Sequence, residues 1–438
     1  MFVSKKRCWD PLYGLIEFSK EEFSLILTPE VQRLRYLRMC NINSLLVTGA
    51  SEISRFEHIL GVLKLVQVWA SNNHLSKDDL YALKAAAILH DILTAPFGHS
   101  LQYVFQDNQI EGNFSHEDIE YGSRHTFYQA LDANASFLGR PFESENILGY
   151  LWNKVSNIIQ GKSDLGPLIS GSMDLDNIDN VFRMAYHVGL TSHEDKDIPL
   201  LLASQIKLHN SLICLPSSAV PLIDRWLDLR STLYKFLLYD WADFSAKAML
   251  TRIIEDALRV NLLGSDSWRF TDLELLSYLQ RITTGEYQDI GTLINRLLTG
   301  RLYFPLGLYK SDIMDSYKLL SNMETKRDIE NRLYNYSKNK KYDLKIKYIF
   351  HPIINNRKIS RSIRVLISDN NNVIQLGNDE KSILLGFFCS SPPQNNAHNA
   401  DILEYACNIL HDFGIEDLTL LTDPIMPDTS DNMELDFS

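Results

Sequence analysis

Between Lys20 and Tyr336 the apolar residues recur mainly every three or four positions; beyond residue 337 that spacing gives way to short alternating or continuous runs. The stretches "SRFEHILGVLKLVQVWASN", "SKDDLYALKAAAILHDIL" and 223–258 follow a helical period. Start signals accompany them. Thr28 precedes Pro29 in "TPEVQRLRYLRM", an N-cap followed by proline at the first helical position. Ser76 stands three residues before Asp79, close to a capping box, and Ser115 of "SHEDIEYGSRHTFYQAL" is placed similarly. Upstream, "WDPLYGLIEFS" mixes turn residues with alternating apolar ones and predicts a short hairpin or strand. Downstream, "YDLKIKYIF", "SIRVLISD" and "ILLGFFCSS" predict strands, and "NADILEYACNILHDFG" predicts a helix. The pattern predicts a mainly α chain, with a helical domain over 1–336 and a small α/β subdomain over 337–438 that ends in an acidic tail.

Composition narrows the partners. The 438 residues are 45% hydrophobic and 11% aromatic, enough for a sizeable core. A net charge of −12 disfavours a general nucleic-acid binder, which needs basic surface. Residues 326–364 are nevertheless locally basic, through "KRDIENR", "KNKKYDLKIK" and "RKISRSIR". Such a run reads as a solvated face, or as a place for an anionic effector or a neighbouring subunit. Five scattered cysteines lack CxxC spacing, which fits a reducing compartment. No run of about 18 apolar residues occurs. The expectation is a soluble cytoplasmic protein with no membrane contact.

The chemistry is concentrated in His-Asp pairs. "AILHDILTAPFGH" carries His90 and Asp91; "NILHDFG" carries His411 and Asp412. Residues adjacent on a helix point about 100° apart, so a pair can reach one ion beside the helix. Alone it is weak evidence, since a lone histidine on an apolar face is ordinarily a core residue. The second pair has no suitable company and reads as a helix end capped by Gly414. The first pair has His58 in "SRFEHILG", with Arg55 one turn before it, and Asp176 in "DLDNIDNVFRMAYHVG". In that last stretch Asp176, Asp179, Asn180, Arg183 and His187 form a polar stripe opposite Ile178, Val181, Phe182 and Ala185.

The ordered set His…His-Asp…Asp resembles the HD-domain phosphohydrolase superfamily, and within it the deoxynucleoside triphosphate triphosphohydrolases, with no SAM domain expected ahead of it. "DPLYGLIEF", "LTPEVQRLRYLRM", "SHEDIEYG" and "RSTLYKFLLYD" extend the resemblance over most of residues 8–265. It implies an HD-domain helical bundle with a helical extension. It further implies that His58, His90, Asp91 and Asp176 hold one divalent ion of Mn, Fe, Zn or Mg, a choice the ligand chemistry allows. Such an ion would polarise a phosphoryl group and lower the pKa of water. His116 matches a catalytic histidine, with an exposed helix residue as the plain alternative. His99 matches a phosphate-contacting histidine; Arg55 and Arg183 match positions near the metal and phosphates, or are structural ion-pair members. Asp174 and Asp179 are candidates to fix the histidine tautomers, Asp174 equally as a helix N-cap. The resemblance also implies a nucleotide substrate, a homo-oligomer and a possible nucleotide effector.

Departures from the pattern bear on the substrate. Thr94 stands where relatives bring a second histidine to the phosphates. Met39, Asn180, Met184 and Asn177 replace a glutamine, a tyrosine, an aspartate and a lysine. Groups that would hold a deoxyribose hydroxyl are thereby lost, which weakens discrimination. Gln32 and Arg35 match an effector site, but Leu27 replaces its acidic residue. The leading expectation is a metal-dependent nucleotide phosphohydrolase, by resemblance a dNTP triphosphohydrolase. The alternatives are a phosphoesterase for another nucleotide, a signalling nucleotide or a single-stranded nucleic acid, and a metal-bound regulatory module.

Overall fold

The computed structural model describes residues 6–40, 52–108, 116–117, 119, 142–342, 346–391 and 396–421. The helix expected from Ser115 and the acidic tail lie outside them. The chain opens with an antiparallel hairpin, β1 (Arg7–Asp10) and β2 (Gly14–Glu17), whose turn is held by Asp10 Oδ1 accepting from Leu12 and Tyr13 N–H at 2.9 and 2.8 Å. Helices α1 (Lys20–Ile26) and α2 (Pro29–Arg33) follow. Ser19 and Glu22 form a full capping box on α1. Thr28 sits at the N-cap of α2, but its hydroxyl donates back to the Leu25 carbonyl at 2.8 Å instead of capping.

Two helices carry the centre of the molecule. α3 (Arg55–Ser71) is buried on nearly every side, with Ile59, Val62, Leu63, Leu65 and Val66 at 0% exposure. α4 (Lys77–Leu89) lies against it, with Ala82, Ala85, Ala86 and Ala87 fully buried. Ser76 Oγ accepts from Asp79 N–H and caps α4, as its sequence predicts. The helix stops at Leu89. His90 is its C-cap, and residues 91–98 form buried turns, with φ of 56° at Phe97 and 59° at Gly98, before α5 (His99–Asp107). The His90–Asp91 pair therefore sits at a helix end, not along a helix face.

The helical part continues through α6 (Glu143–Leu148), α7 (Trp152–Ile159), α8 (Leu175–His187) and α9 (Ile198–Gln205). A hairpin of β3 (Lys207–His209) and β4 (Leu212–Leu215) leads to α10 (Val220–Tyr239), α11 (Trp241–Arg259), α12 (Asp272–Ile282) and α13 (Gln288–Leu298). On α8, Ile178, Val181, Phe182 and Ala185 are fully buried, as their spacing predicts. On the opposite stripe Asp176, Asn180 and His187 are half-buried, while Asp179 and Arg183 are at 0% exposure where α8 lies against α3.

The remaining elements are β5 (Phe304–Ser311), α14 (Tyr317–Leu320), α15 (Met323–Asn339), β6 (Tyr348–Asn356), β7 (Ile363–Ile367), β8 (Asn372–Leu376), β9 (Lys381–Cys389), α16 (Asn396–Asp412) and β10 (Thr419–Leu420). One antiparallel sheet runs β10-β5-β9-β6, with Ile329, Leu333, Phe350, Phe387, Ile402 and Ile409 in the core between it and α15 and α16. A second sheet runs β3-β4-β7-β8, in which β4 and β7 pair in parallel, Cys214 opposite Leu366. Both sheets thus combine strands from before and after residue 337. The loop 357–362, between β6 and β7, is brought against the start of α8. The architecture is mainly α, and no helix among the described residues is long and apolar enough to cross a membrane.

Candidate metal centre

α3, the end of α4 and the start of α8 bring His58, His90 and Asp176 together. One ligand atom from each lies within 4.8 Å of the other two, the one such His/Cys/Asp/Glu group among the described residues. His58 Nε2 is 2.8 Å from Asp176 Oδ1 and 3.3 Å from His90 Nε2, and His90 Nε2 is 3.7 Å from Asp176 Oδ1. The other ring nitrogens are engaged elsewhere. His90 Nδ1 is 3.0 Å from the Ala87 carbonyl, one of the acceptors a helix end leaves free. His58 Nδ1 is 2.7 Å from Asp179 Oδ2. Donation at both Nδ1 atoms turns both Nε2 atoms inward. Two imidazole nitrogens and a carboxylate oxygen then face one another, and a single proton on His58 serves only one of those contacts. A divalent cation fits all three.

The field at this point is negative. Burial alone would lower the pKa of His58, but hydrogen bonds to Asp176 and Asp179 outweigh it and raise it to about 10. Asp179 is buried as well, yet Arg183 and His58 hold its carboxyl down at about 2.

Asp91 stands beside this group, its Oδ2 3.8 Å from His90 Nε2. Arg55 Nη1 donates to both Asp91 oxygens, at 2.7 and 2.8 Å. Against a burial that would raise it, Arg55, with help from His90, keeps the Asp91 carboxyl well below the usual range. The Thr94 hydroxyl, 3% exposed with its residue, donates to Asp91 Oδ1 at 2.9 Å. Arg183 takes the ion-paired alternative. It is at 0% exposure, with Asp179, Glu57 and Asp10 at 2.9, 2.6 and 2.9 Å, so its guanidinium is committed to carboxylates rather than to a phosphate. It holds Asp179, which holds His58. Asp174 caps α8, accepting from Asn177 N–H at 2.6 Å, and does not reach a histidine ring among the described contacts. Burial, then Asp176, raises its carboxyl to about 7.

A cleft opens beside the three-residue group, lined by His90, Asp91 and Asp176, by His116 and Asn177, and by Arg361 from the 357–362 loop. His116 Nδ1 is buried without a hydrogen-bond partner among the described residues. Burial lowers its pKa to about 4. His99 begins α5, stacks on Tyr103 and meets His116 edge-on, their ring centroids 5.3 Å apart. Burial, then His116, lowers it to about 3. Asn180 has a buried Oδ1 with no partner among the described residues. Met39 and Met184 join Ile53 and Leu233 in one small apolar cluster. His411 and Asp412 are exposed at the end of α16, where Asp412 pairs with Arg332. Arg361 was missed at residue level. Its run was visible as basic sequence, but nothing in the sequence says that it reaches the cleft.

Residues 55–180 match the family model for the HD domain, a span that contains His58, His90, Asp91 and Asp176. Over that span the chain is similar to the HD domain. An uncharacterized protein of Methanocaldococcus jannaschii is 25% identical over 276 residues, 62% of this chain and 54% of that protein. An uncharacterized protein of Bacillus subtilis is 26% identical over 272 residues, 60% of this chain and 57% of that protein. The chain therefore matches little more than half the length of these relatives. The deoxynucleoside triphosphate triphosphohydrolase SAMHD1 of Mus musculus is 28% identical over 215 residues, 42% of this chain and 32% of that enzyme. Among solved structures, a phosphohydrolase from Bacteroides thetaiotaomicron shares the fold, with TM-score 0.63 and 16% identity over 87% of this chain and 99% of that one.

Proposed function

We propose that this HD-domain chain is a metal-dependent phosphohydrolase acting on nucleotides, with conversion of a dNTP to deoxynucleoside and triphosphate as the first reaction to test. The observation that carries it is the convergence of His58 Nε2, His90 Nε2 and Asp176 Oδ1 with their outer ring nitrogens already held. These residues, with Asp91, would hold one divalent ion; two imidazoles and two carboxylates suit Mn, Fe, Zn or Mg. When bound, the ion supplies positive charge to a phosphoryl group and acidifies water.

The chain's own groups do the rest. Arg55 keeps Asp91 ionised and oriented. Asp179, clamped by Arg183, sets the direction of the His58 ring. His116, neutral at pH 7, presents Nδ1 with no hydrogen-bond partner among the described residues and can hold a proton passing between water and the leaving oxygen. His99, edge-on to His116, lies next to the path of a phosphate.

A second reading keeps the metal and changes the substrate. Met39 and Met184 pack in one apolar cluster where hydrogen-bonding partners for a sugar hydroxyl would stand, which supports a phosphoesterase for another nucleotide. Purified protein with Mn, Mg, Zn or Fe is assayed against dNTPs, NTPs, mononucleotides, cyclic oligonucleotides and single-stranded DNA. Release of inorganic triphosphate from dNTPs supports the first reading; turnover of another member alone supports the second. Metal binding with no turnover across the panel overturns both and leaves a regulatory module. Sedimentation with and without nucleotide tests the homo-oligomer and the nucleotide effector.

A further inference from the structure

The basic loop after β6 ends inside the cleft. Arg361 Nη1 donates to the Ser172 carbonyl and to Asn177 Oδ1, both at 3.1 Å, and these acceptors flank the start of the helix that carries Asp176. Both acceptors are neutral, and no ion pair engages Arg361 among the described residues. The loop is built to hold this position. Ile359 is 1% exposed in the main core. Asn355 Oδ1 accepts from Lys358 and Ile359 N–H at 3.2 and 3.3 Å, and its amide is tied to Ser382 at 3.0 Å. Asp379 accepts from Ser362 N–H at 2.8 Å and pairs with Arg357 at 3.0 Å.

Two more cations gather at the same loop. Lys358 Nζ lies 5.3 Å from the ring of Tyr103, the ring on which His99 stacks. Arg230 of α10 is 2% exposed; it donates through Nη2 to the Arg357 carbonyl at 3.3 Å and lies 4.7 Å from the Tyr234 ring, while its Nε and Nη1 have no hydrogen-bond partner among the described residues. A buried guanidinium with unsatisfied N–H groups is costly unless an acceptor arrives. Burial lowers its pKa, and the charge of Arg361 adds to that.

We propose that Arg361 is an anion clamp on the wall of the metal cleft, and that it takes the terminal phosphates of a polyphosphate-bearing nucleotide. The clamp rests on the phosphohydrolase reading for its substrate class. A guanidinium fork matches phosphate oxygens, whereas a lysine offers only a point charge. The metal ligands position one phosphoryl group and the loop holds those beyond it, so affinity depends on phosphate chain length.

The probe is inorganic triphosphate, titrated calorimetrically into the full chain with Mn. Orthophosphate is the short-chain comparison. Triphosphate is expected to bind at least tenfold more tightly than orthophosphate. Arg361→Gln, which keeps a donor for Ser172, is expected to weaken triphosphate at least tenfold and orthophosphate little. Arg361→Lys should recover part of the loss, and Arg364→Ala, an exposed neighbour, should change nothing. Metal content and melting temperature are measured on each variant. Triphosphate bound by a folded, metal-loaded Arg361→Gln protein as tightly as by the unaltered chain would overturn the clamp; so would no triphosphate binding by the unaltered chain. If Arg361-dependent binding persists while the nucleotide panel shows no turnover, the enzymatic reading fails and the clamp stands. Turnover with Arg361-independent binding does the reverse.

Discussion

Asp179 Oδ2 lies 2.7 Å from His58 Nδ1, inside the protein, and Arg183 donates to both Asp179 oxygens. The carboxylate is therefore a support for the His58 ring, and it should be separable from the ligands themselves. Asp179→Asn is expected to lower metal affinity about 10- to 100-fold, the range seen when a supporting partner of a ligand histidine is lost. Competition with a metal indicator checks this; unchanged affinity would remove Asp179 from the site.

Gly61 leaves the space in which that support sits. A Cβ on Gly61 would overlap Asp179 Oδ1 and Arg183 Nη2. In an exposed helix, glycine to alanine is worth about 1 kcal/mol of stabilisation. Here the sign should reverse, with Gly61→Ala destabilising by about 1–3 kcal/mol or more through overpacking. A chemical-denaturation curve decides; a gain in stability would show that α3 and α8 can part freely at this point.

The two His-Asp pairs should behave oppositely. Asp91→Ala is expected to remove both bound metal and hydrolysis, because it also leaves the buried Arg55 charge unopposed. Asp412→Ala breaks only a surface pair with Arg332 and should leave both intact. Elemental analysis of the purified variants is the measurement, and metal retained by Asp91→Ala would refute the assignment of Asp91.

His351 on β6 predicts a pH effect away from the metal. Burial, then Lys326, Arg252 and Lys247, depress its pKa well below the ordinary 6.5. Its charged neighbours are themselves paired, Lys326 with Glu255, Arg252 with Glu330 and Lys247 with Asp243. Below pH 6.5 the unfolded chain takes up a proton that the folded chain refuses, so stability falls as pH falls, by up to about 1.4 kcal/mol per pH unit. Replacing His351 with leucine should remove that part of the acid sensitivity. Denaturation curves for both proteins between pH 7 and pH 5 would show parallel losses if the prediction is wrong.

The helices that carry the site were legible because local signals suffice for them. The period of α3, the Ser76 cap of α4 and the apolar face of α8 are all written within a few turns of chain. What lies across the chain was not. Nothing local to His90 shows that α4 ends there and lends it the Ala87 carbonyl. The polar stripe on α8 was visible as a stripe, but only packing against α3 makes Asp179 and Arg183 a buried ion pair. Thr94 and Arg183 were read by position in a pattern, whereas their hydrogen bonds are set by which carboxylate the fold places beside them. The short strands β3 and β4 went unnoticed inside a helical region, because their sheet partner β7 is far along the chain.

That distance has a consequence for synthesis. Asn177 and Arg361 are 184 residues apart, so a ribosome delivers the His58, His90 and Asp176 cluster long before it delivers the wall opposite it. Until β7 emerges, β4 offers an open edge on that side to any passing strand, a state that invites mispairing with a neighbouring nascent chain. A chain stopped short of residue 363 should keep the histidines and still come out sticky.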